Sequence, residues 1–174
     1  MRLESPDFTT EDLDRFVDEL VDRERKVLVQ RLEAASTRLL ALASKVPEDA
    51  VEPGSGSWNA IEVLAHIAVL SKFYGVLTYQ IGTGRLTELR LLENVHLRDV
   101  VGSEMAKTEP AELATIARLE HEKTLAWLRR ATAAELRREC VADGRWRFTA
   151  EEMARTPLIC HLELHLDQLA EALA

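Results

Sequence analysis

In Pro157-Leu-Ile-Cys-His-Leu-Glu-Leu-His-Leu-Asp-Gln168, leucines and histidines recur at the spacing of an α-helix. His161 and His165 are four residues apart, which stacks their side chains on one face, one turn from each other. Gln168 extends the same line, and the adjacent stripe is apolar: Leu158, Leu162, Leu166, Leu169 and Leu173. The pair therefore lies at the edge of a buried face, where two neutral imidazoles could ligate one metal ion.

A second helix start lies around Trp58 and Asn59. Asn59 can accept hydrogen bonds as the N-cap, and Glu62 three residues later completes a capping box. Trp58 and Val63 have the spacing of a hydrophobic staple. This start places a third histidine, His66, in the second turn of a strongly apolar helix.

Three histidines from two helices, His66, His161 and His165, could hold a divalent ion and leave positions open for water or substrate. Two alternatives to a metal site remain open. The i, i+4 pair could lie at the surface without a ligand, and His66 alone could be a core histidine satisfied by hydrogen bonds. The combination of the pair with a matching histidine on another helix favours the metal site.

Composition and charge restrict the function classes. Apolar residues make up 47% of the chain and charged residues 30%, as in ordinary soluble proteins, and the net charge of −8 argues against a general nucleic-acid binder. The opening residues are too polar for a secretory signal, and two cysteines provide no disulfide framework. The least polar stretch, residues 63–84, is interrupted by His66 and Lys72 and indicates a buried or interface helix rather than a membrane span. We expect a cytoplasmic protein without nucleic-acid or membrane partners.

The helical pattern covers most of the 174 residues, which suit one domain over residues 1–174. A polar loop at 47–57 separates the first two helices, and 86–101 has weaker helical character. An extended stretch is expected only around Asp143–Phe148. The main helices are predicted at about 8–45, at 59–80, at 111–131 after Pro110, and from a capping box at Thr149 and Glu152 onward. The first of them is long enough for a break at Asp22–Arg25. Four such helices with short connections pack most simply as an all-α four-helix bundle with short extra helices.

Pro157 interrupts the last helix. Proline disfavours helical geometry at the preceding residue, Thr156. The helix therefore either kinks there or starts afresh, with Thr156 as its cap and Pro157 in its first turn.

The remaining polar candidates match no ligand motif. His96 and His121 are expected at the surface. Glu120 falls on the apolar side of its helix and needs a partner, either a metal-bound histidine or, as we favour, an arginine across the bundle. Cys160 points aside from the metal and is interpreted as a small buried hydrophobe. Gln168 could bind a ligand or substrate, or pack between subunits.

Among the tryptophans, Trp58 and Trp127 are expected in the core, and Trp146 at the rim of a site or in a dimer contact. The charge-poor, aromatic-bearing stretch Lys72–Gln80 is the candidate dimer surface.

These motifs carry a family resemblance. Trp58-Asn-Ala-Ile-Glu-Val-Leu-Ala-His66-Ile-Ala resembles the second-helix motif of the DinB/YfiT-like superfamily, where Trp-Ser precedes a histidine by eight positions. His161-x-x-x-His165-x-x-Gln168 is similar to that family's last-helix signature, and the resemblance covers nearly the whole chain. Asn59 replaces the usual serine, Leu166-Asp167 replaces a frequent basic or glycine pair, and the Thr156-Pro157 step inserts a residue ahead of the histidines.

The resemblance implies a bundle of up-down-down-up topology, commonly a homodimer, in which His66, His161 and His165 bind zinc or nickel. It also implies a small-molecule substrate, because the family includes thiol-dependent S-transferases that use low-molecular-weight thiols and a maleylpyruvate isomerase. The expected function is therefore a metal-dependent transferase or hydrolase that activates a thiol or water. Family membership does not fix chemistry, so a non-catalytic metal- or small-molecule-binding stress protein and a purely structural helical dimer remain alternatives.

Overall fold

The computed structural model describes residues 9–47, 58–94, 101 and 104–174. Long helices and one small sheet make up this part of the chain, so the fold is mainly helical and consistent with the all-α prediction. Its elements are α1 (Thr10–Ala43), α2 (Ala60–Gly82), β1 (Glu88–Leu89), a 3₁₀ turn (Leu92–Asn94), α3 (Pro110–Leu128), α4 (Ala133–Leu136), β2 (Glu139–Ala142), β3 (Trp146–Thr149), α5 (Ala150–Met153), a π-helix (Ala154–Cys160) and α6 (His161–Ala172).

Helix α1 is continuous, so the break considered at Asp22–Arg25 does not occur. Its N-cap Thr9 forms a capping box with Asp12, close to the helix start predicted at about residue 8. Arg25 connects α1 to the C-terminal end of α3, because its Nη1 donates to the carbonyl oxygen of Arg129 at 2.7 Å. A cation at a helix C-terminus satisfies carbonyl groups that lack partners within the helix.

Helix α2 is the central core helix. The predicted capping box is confirmed, since Asn59 accepts from the backbone N–H of Glu62 at 2.9 Å and Glu62 accepts from that of Asn59 at 2.9 Å. By length and composition α2 could cross a membrane, the one such helix in the described ranges, but 61% of its most apolar window is buried inside the protein. That burial is typical of a core helix in a soluble protein.

The small sheet has the order β1-β2-β3, with β1 parallel and β3 antiparallel to β2. Strands β2 and β3 form a hairpin, and β3 confirms the extended stretch predicted around Asp143–Phe148 from Trp146 onward, whereas Asp143, Gly144 and Arg145 form the turn of the hairpin. Its turn places Asp143 at φ 49° and Gly144 at φ 69°, left-handed conformations that aspartate tolerates and glycine favours. Strand β1 contradicts the helical prediction for residues 86–101 at Glu88–Leu89, and residues 95–100 lie outside the described part.

The last helical segment does not restart at Pro157. The chain runs from α5 through a π-helix into α6 without leaving helical geometry, and Pro157 lies inside the π-helix. Proline lacks an N–H, and its ring collides with the carbonyl one turn earlier in an α-helix. The wider π-turn relieves that collision and accommodates one extra residue, which agrees with the insertion seen ahead of the histidine pair.

One apolar cluster joins all the long helices, and α1 and α2 each contact both α3 and α6. Helix α3 begins at Pro110, as predicted, and ends at Leu128. Phe148 and the hairpin pack on the edge of this cluster next to the π-helix.

Candidate metal centre

The three predicted histidines meet between α2 and α6. His66 lies in the second turn of α2, whose start is fixed by the Asn59 capping box. His161 is the first residue of α6, directly after the π-helix, and His165 follows one turn later. The ligand-capable nitrogens of the three residues all lie within 4.8 Å of one another.

Ion pairs on the opposite side of α6 hold this orientation. Arg31 of α1 binds Glu163 at 2.6 Å, and Arg38 binds Asp167 at 2.6 Å. All four side chains are partly exposed, so each pair contributes at most about 1 kcal/mol. The two ion pairs fix the rotation of α6 about its axis. Because Glu163 and Asp167 face α1, His161 and His165 lie on the side of α6 that faces α2.

The imidazole rings are close enough to share one ligand. The ring centroid of His66 lies 4.5 Å from that of His165 and 5.6 Å from that of His161. The Nε2 atoms of His161 and His165 are 2.8 Å apart. Nitrogens bound to one tetrahedral zinc ion at about 2.05 Å are roughly 3.3 Å apart, so side-chain shifts of about 1 Å adapt this cluster to an ion.

Gln168 sets the tautomer of His165. Its Oε1 lies 2.9 Å from His165 Nδ1, and an amide oxygen can only accept, so Nδ1 carries the hydrogen. The lone pair of neutral His165 is therefore on Nε2, which faces the other two histidines. Burial lowers the pKa of His165, an effect that the bond to Gln168 opposes, and the neutral form is the one that ligates metals.

Aromatic rings flank the cluster at both ends. Trp58 packs 4.7 Å from the His66 ring and stacks on His165 at 5.9 Å with an interplanar angle of 22°. At the other end Tyr74 lies 6.1 Å from the His161 ring. Trp58 is 45% exposed, so its prediction as a core residue was wrong, and it forms an outer wall of the centre.

Tyr74 was missed by the sequence reasoning, although a signal was present. It follows His66 by eight residues, a little over two helical turns, and therefore lies on nearly the same side of α2. The buried Tyr74 ring closes the centre on the side of the hairpin.

His121 is not a surface residue, contrary to expectation. It is 1% exposed between α2 and α3, and its Nε2 lies 2.8 Å from Ser71 Oγ. The Ser71 hydroxyl donates to the carbonyl oxygen of Ile67, so it accepts the Nε2–H of His121. Burial lowers the pKa of His121 to about 4. It belongs to the core and not to the histidine cluster.

The other candidates lie away from the cluster. Glu120 pairs with Lys123 on its own helix at 2.7 Å, so the predicted arginine across the bundle is wrong. Cys160 points aside as expected but is exposed, with its sulfur 3.2 Å from Arg31 Nη2, so its interpretation as a buried hydrophobe is wrong. Trp127 is buried as predicted, whereas Trp146 is partly exposed on β3. His96 lies outside the described residues.

The donor set suits a divalent transition metal. Three imidazole nitrogens favour zinc, nickel, copper or iron over calcium or magnesium, which prefer oxygen. A glutamine that fixes the tautomer of one ligand is a typical outer partner of a metal-bound histidine. The cluster could therefore bind a divalent metal ion.

Comparison with known proteins gives one family match. The family model of the DinB superfamily matches residues 20–169, a range that includes all three histidines. Searches of curated proteins and of solved structures each give no match.

Proposed function

The chain belongs to the DinB superfamily, and on this basis we propose that it is a metal-dependent enzyme that acts on a small molecule by S-transfer or hydrolysis. His66, His161 and His165 would hold one divalent ion, zinc or nickel. A divalent ion held by three imidazoles supplies Lewis acidity and lowers the pKa of a thiol or water that binds it. The observation that carries the proposal is the convergence of the three histidines within 4.8 Å.

The residues around the cluster have separate tasks in this proposal. Gln168 holds the His165 ring with its Nε2 lone pair toward the cluster. Trp58 covers His66 and His165, and Tyr74 borders His161, so both rings exclude water from the flanks. A low-molecular-weight thiol is the expected cosubstrate for the transferase reaction.

The metal claim is tested by the metal content of untagged protein. We expect about one zinc or nickel ion per chain in the wild type, and less than a tenth of that in the double variant His161→Ala, His165→Ala. The variant His121→Gln, which alters a buried histidine elsewhere, is the matched control and should keep the ion. Equal metal content in the wild type and the double variant would rule out the centre.

A second candidate function is a non-catalytic protein that binds metal or a small molecule at the same place. Among the described residues the cluster consists of three histidines and no carboxylate, so no general base accompanies it. Metal-loaded protein should be screened with electrophiles and low-molecular-weight thiols. Turnover that the double variant lacks supports the enzyme, whereas tight ligand binding without turnover supports the second candidate.

For the assembly, we propose a single domain folded as an up-down-down-up four-helix bundle, and a cytoplasmic homodimer without nucleic-acid or membrane partners. In support of this topology, Trp58 lies by His165 and Tyr74 by His161, so α2 and α6 run in opposite directions.

The candidate dimer surface is apolar. Val76 of α2 and Leu119 of α3 are 42% and 43% exposed beside a wide apolar groove, a surface that a second copy would cover. Light scattering at micromolar concentration should give twice the chain mass, and a monomeric mass would contradict the dimer.

A further inference from the structure

A cavity of about 300 Å³ adjoins the histidine cluster on the side of the hairpin. Tyr74 is shared between the two, because its ring lines the cavity and also lies 6.1 Å from the His161 ring. Pro157, which lines the cavity from the π-helix, precedes His161 by four residues. A molecule in this cavity would therefore lie against Tyr74, which separates it from the His161 end of the cluster.

The walls are mainly apolar. Besides Tyr74 and Pro157 they include Leu91, Phe148 and Met153. An engineered apolar cavity of about 150 Å³ holds one benzene molecule, so twice that volume suits a ring or branched alkyl group with a short chain. Burial of such a group against these side chains provides the affinity.

The charged groups of the lining are not equivalent. Glu152 is engaged, because its Oε2 accepts from the backbone N–H of Thr149 at 2.7 Å and from the Thr149 hydroxyl at 3.0 Å. Arg147 is the one cation among the described lining residues. Its Nη1 contacts Glu139 at 2.9 Å, but both side chains are largely exposed, and such a pair is worth at most about 1 kcal/mol.

A guanidinium has five N–H donors in a planar fork that matches a carboxylate. An anionic ligand that exchanges with Glu139 would thus gain a charge-assisted contact at little cost. From these observations we propose that the cavity is a binding site for a small carboxylic acid with a compact apolar body, whose carboxylate is bound by Arg147 while the body lies against Tyr74. The role of this cavity as the substrate pocket of the metal centre rests on the proposed function. Binding of the acid in the cavity does not require the metal ion.

The test uses 3-phenylpropionate as probe, with 3-phenylpropanol and propionate as matched molecules that lack the charge or the ring. Binding to the full chain is measured by calorimetry, in metal-free and in zinc-loaded protein. We expect metal-free protein to bind 3-phenylpropionate about three- to fivefold more tightly than 3-phenylpropanol, because Arg147 is largely exposed, and at least tenfold more tightly than propionate, which lacks the ring. Equal affinity for all three, or no binding, would overturn the proposal.

Two pairs of variants locate the site. Leu91→Trp fills the cavity and should weaken binding at least tenfold, whereas Leu92→Trp adds the same ring at a 60% exposed neighbour and should have no effect. Arg147→Gln should remove the preference for the acid over the alcohol, and Arg145→Gln, which alters the arginine that lies over Trp146, should keep it. An unchanged affinity in Leu91→Trp or an unchanged preference in Arg147→Gln overturns the proposal.

The two forms of the protein separate this proposal from the metal claim. If metal-free protein binds 3-phenylpropionate but no ion is ever bound, the cavity site stands and the metal-dependent function fails. If zinc binds but the acid binds only to zinc-loaded protein, and equally in Arg147→Gln, the acid is a zinc ligand and the cavity proposal fails.

Discussion

Helix α2 meets histidines on two sides, and the two interfaces differ in what those histidines do. Toward α3, His121 is 1% exposed and donates to Ser71, while its Nδ1 is buried with no hydrogen-bond partner among the described residues. Toward α6, His66, His161 and His165 direct ring nitrogens at one another within 4.8 Å. Burial alone therefore does not mark a histidine as a candidate metal ligand, whereas convergence of several donors on one point, with a fixed tautomer, does.

The largest expected contrast is in metal affinity. His66→Ala would remove one of the three proposed ligands and should raise the dissociation constant for zinc at least roughly 100-fold. His121→Gln keeps a donor for Ser71 at the other interface and should change that constant by less than about threefold. Competition titrations against a chromophoric chelator measure both. Similar losses in the two variants would remove the distinction between the interfaces.

The next contrast is in the pH dependence of stability. His121 is neutral in the fold with a pKa of about 4, against 6.5 when exposed, so the unfolded chain takes up its proton first as the pH falls. Neutral His121 therefore stabilises the fold fully above pH 6.5. As the pH falls from 6.5 to 4, the free energy of unfolding decreases by about 3 kcal/mol. Urea unfolding of metal-free wild type and His121→Gln should show this extra loss only in the wild type. Parallel pH curves for the two proteins would contradict the assignment.

The smallest contrast concerns the tautomer. Gln168→Leu removes the acceptor of His165 Nδ1–H and should weaken zinc binding by about 10- to 100-fold without abolishing it. Gln80→Leu changes the same residue type on α2 outside the cluster and serves as control. If Gln168→Leu binds zinc as tightly as the wild type, Gln168 has no role in positioning the ligand.

Local signals in the sequence predict much of the fold and the cluster itself. The capping boxes at Asn59 and Thr149 and the proline at the start of α3 are all short-range features, and each is confirmed. The four-residue spacing of His161 and His165 likewise fixes their common face. These predictions depend only on backbone geometry within a few residues.

The features that the sequence did not predict depend on contacts between distant segments. Periodicity places His121 beside the apolar stripe of α3, but only the packing of α2 decides that it is buried. Trp58 has the spacing of a staple, yet its ring contacts His165 of another helix. The π-helix at Pro157 reflects a balance between a steric clash and continuous packing on α1 and α2, which no local motif expresses.

Anomalous diffraction from crystals of untagged protein grown with zinc tests the central claim most directly. We expect one strong zinc peak at about 2.0–2.1 Å from one ring nitrogen of each of His66, His161 and His165. A zinc peak elsewhere, a peak bound by only one of these histidines, or no peak in zinc-saturated crystals would contradict it.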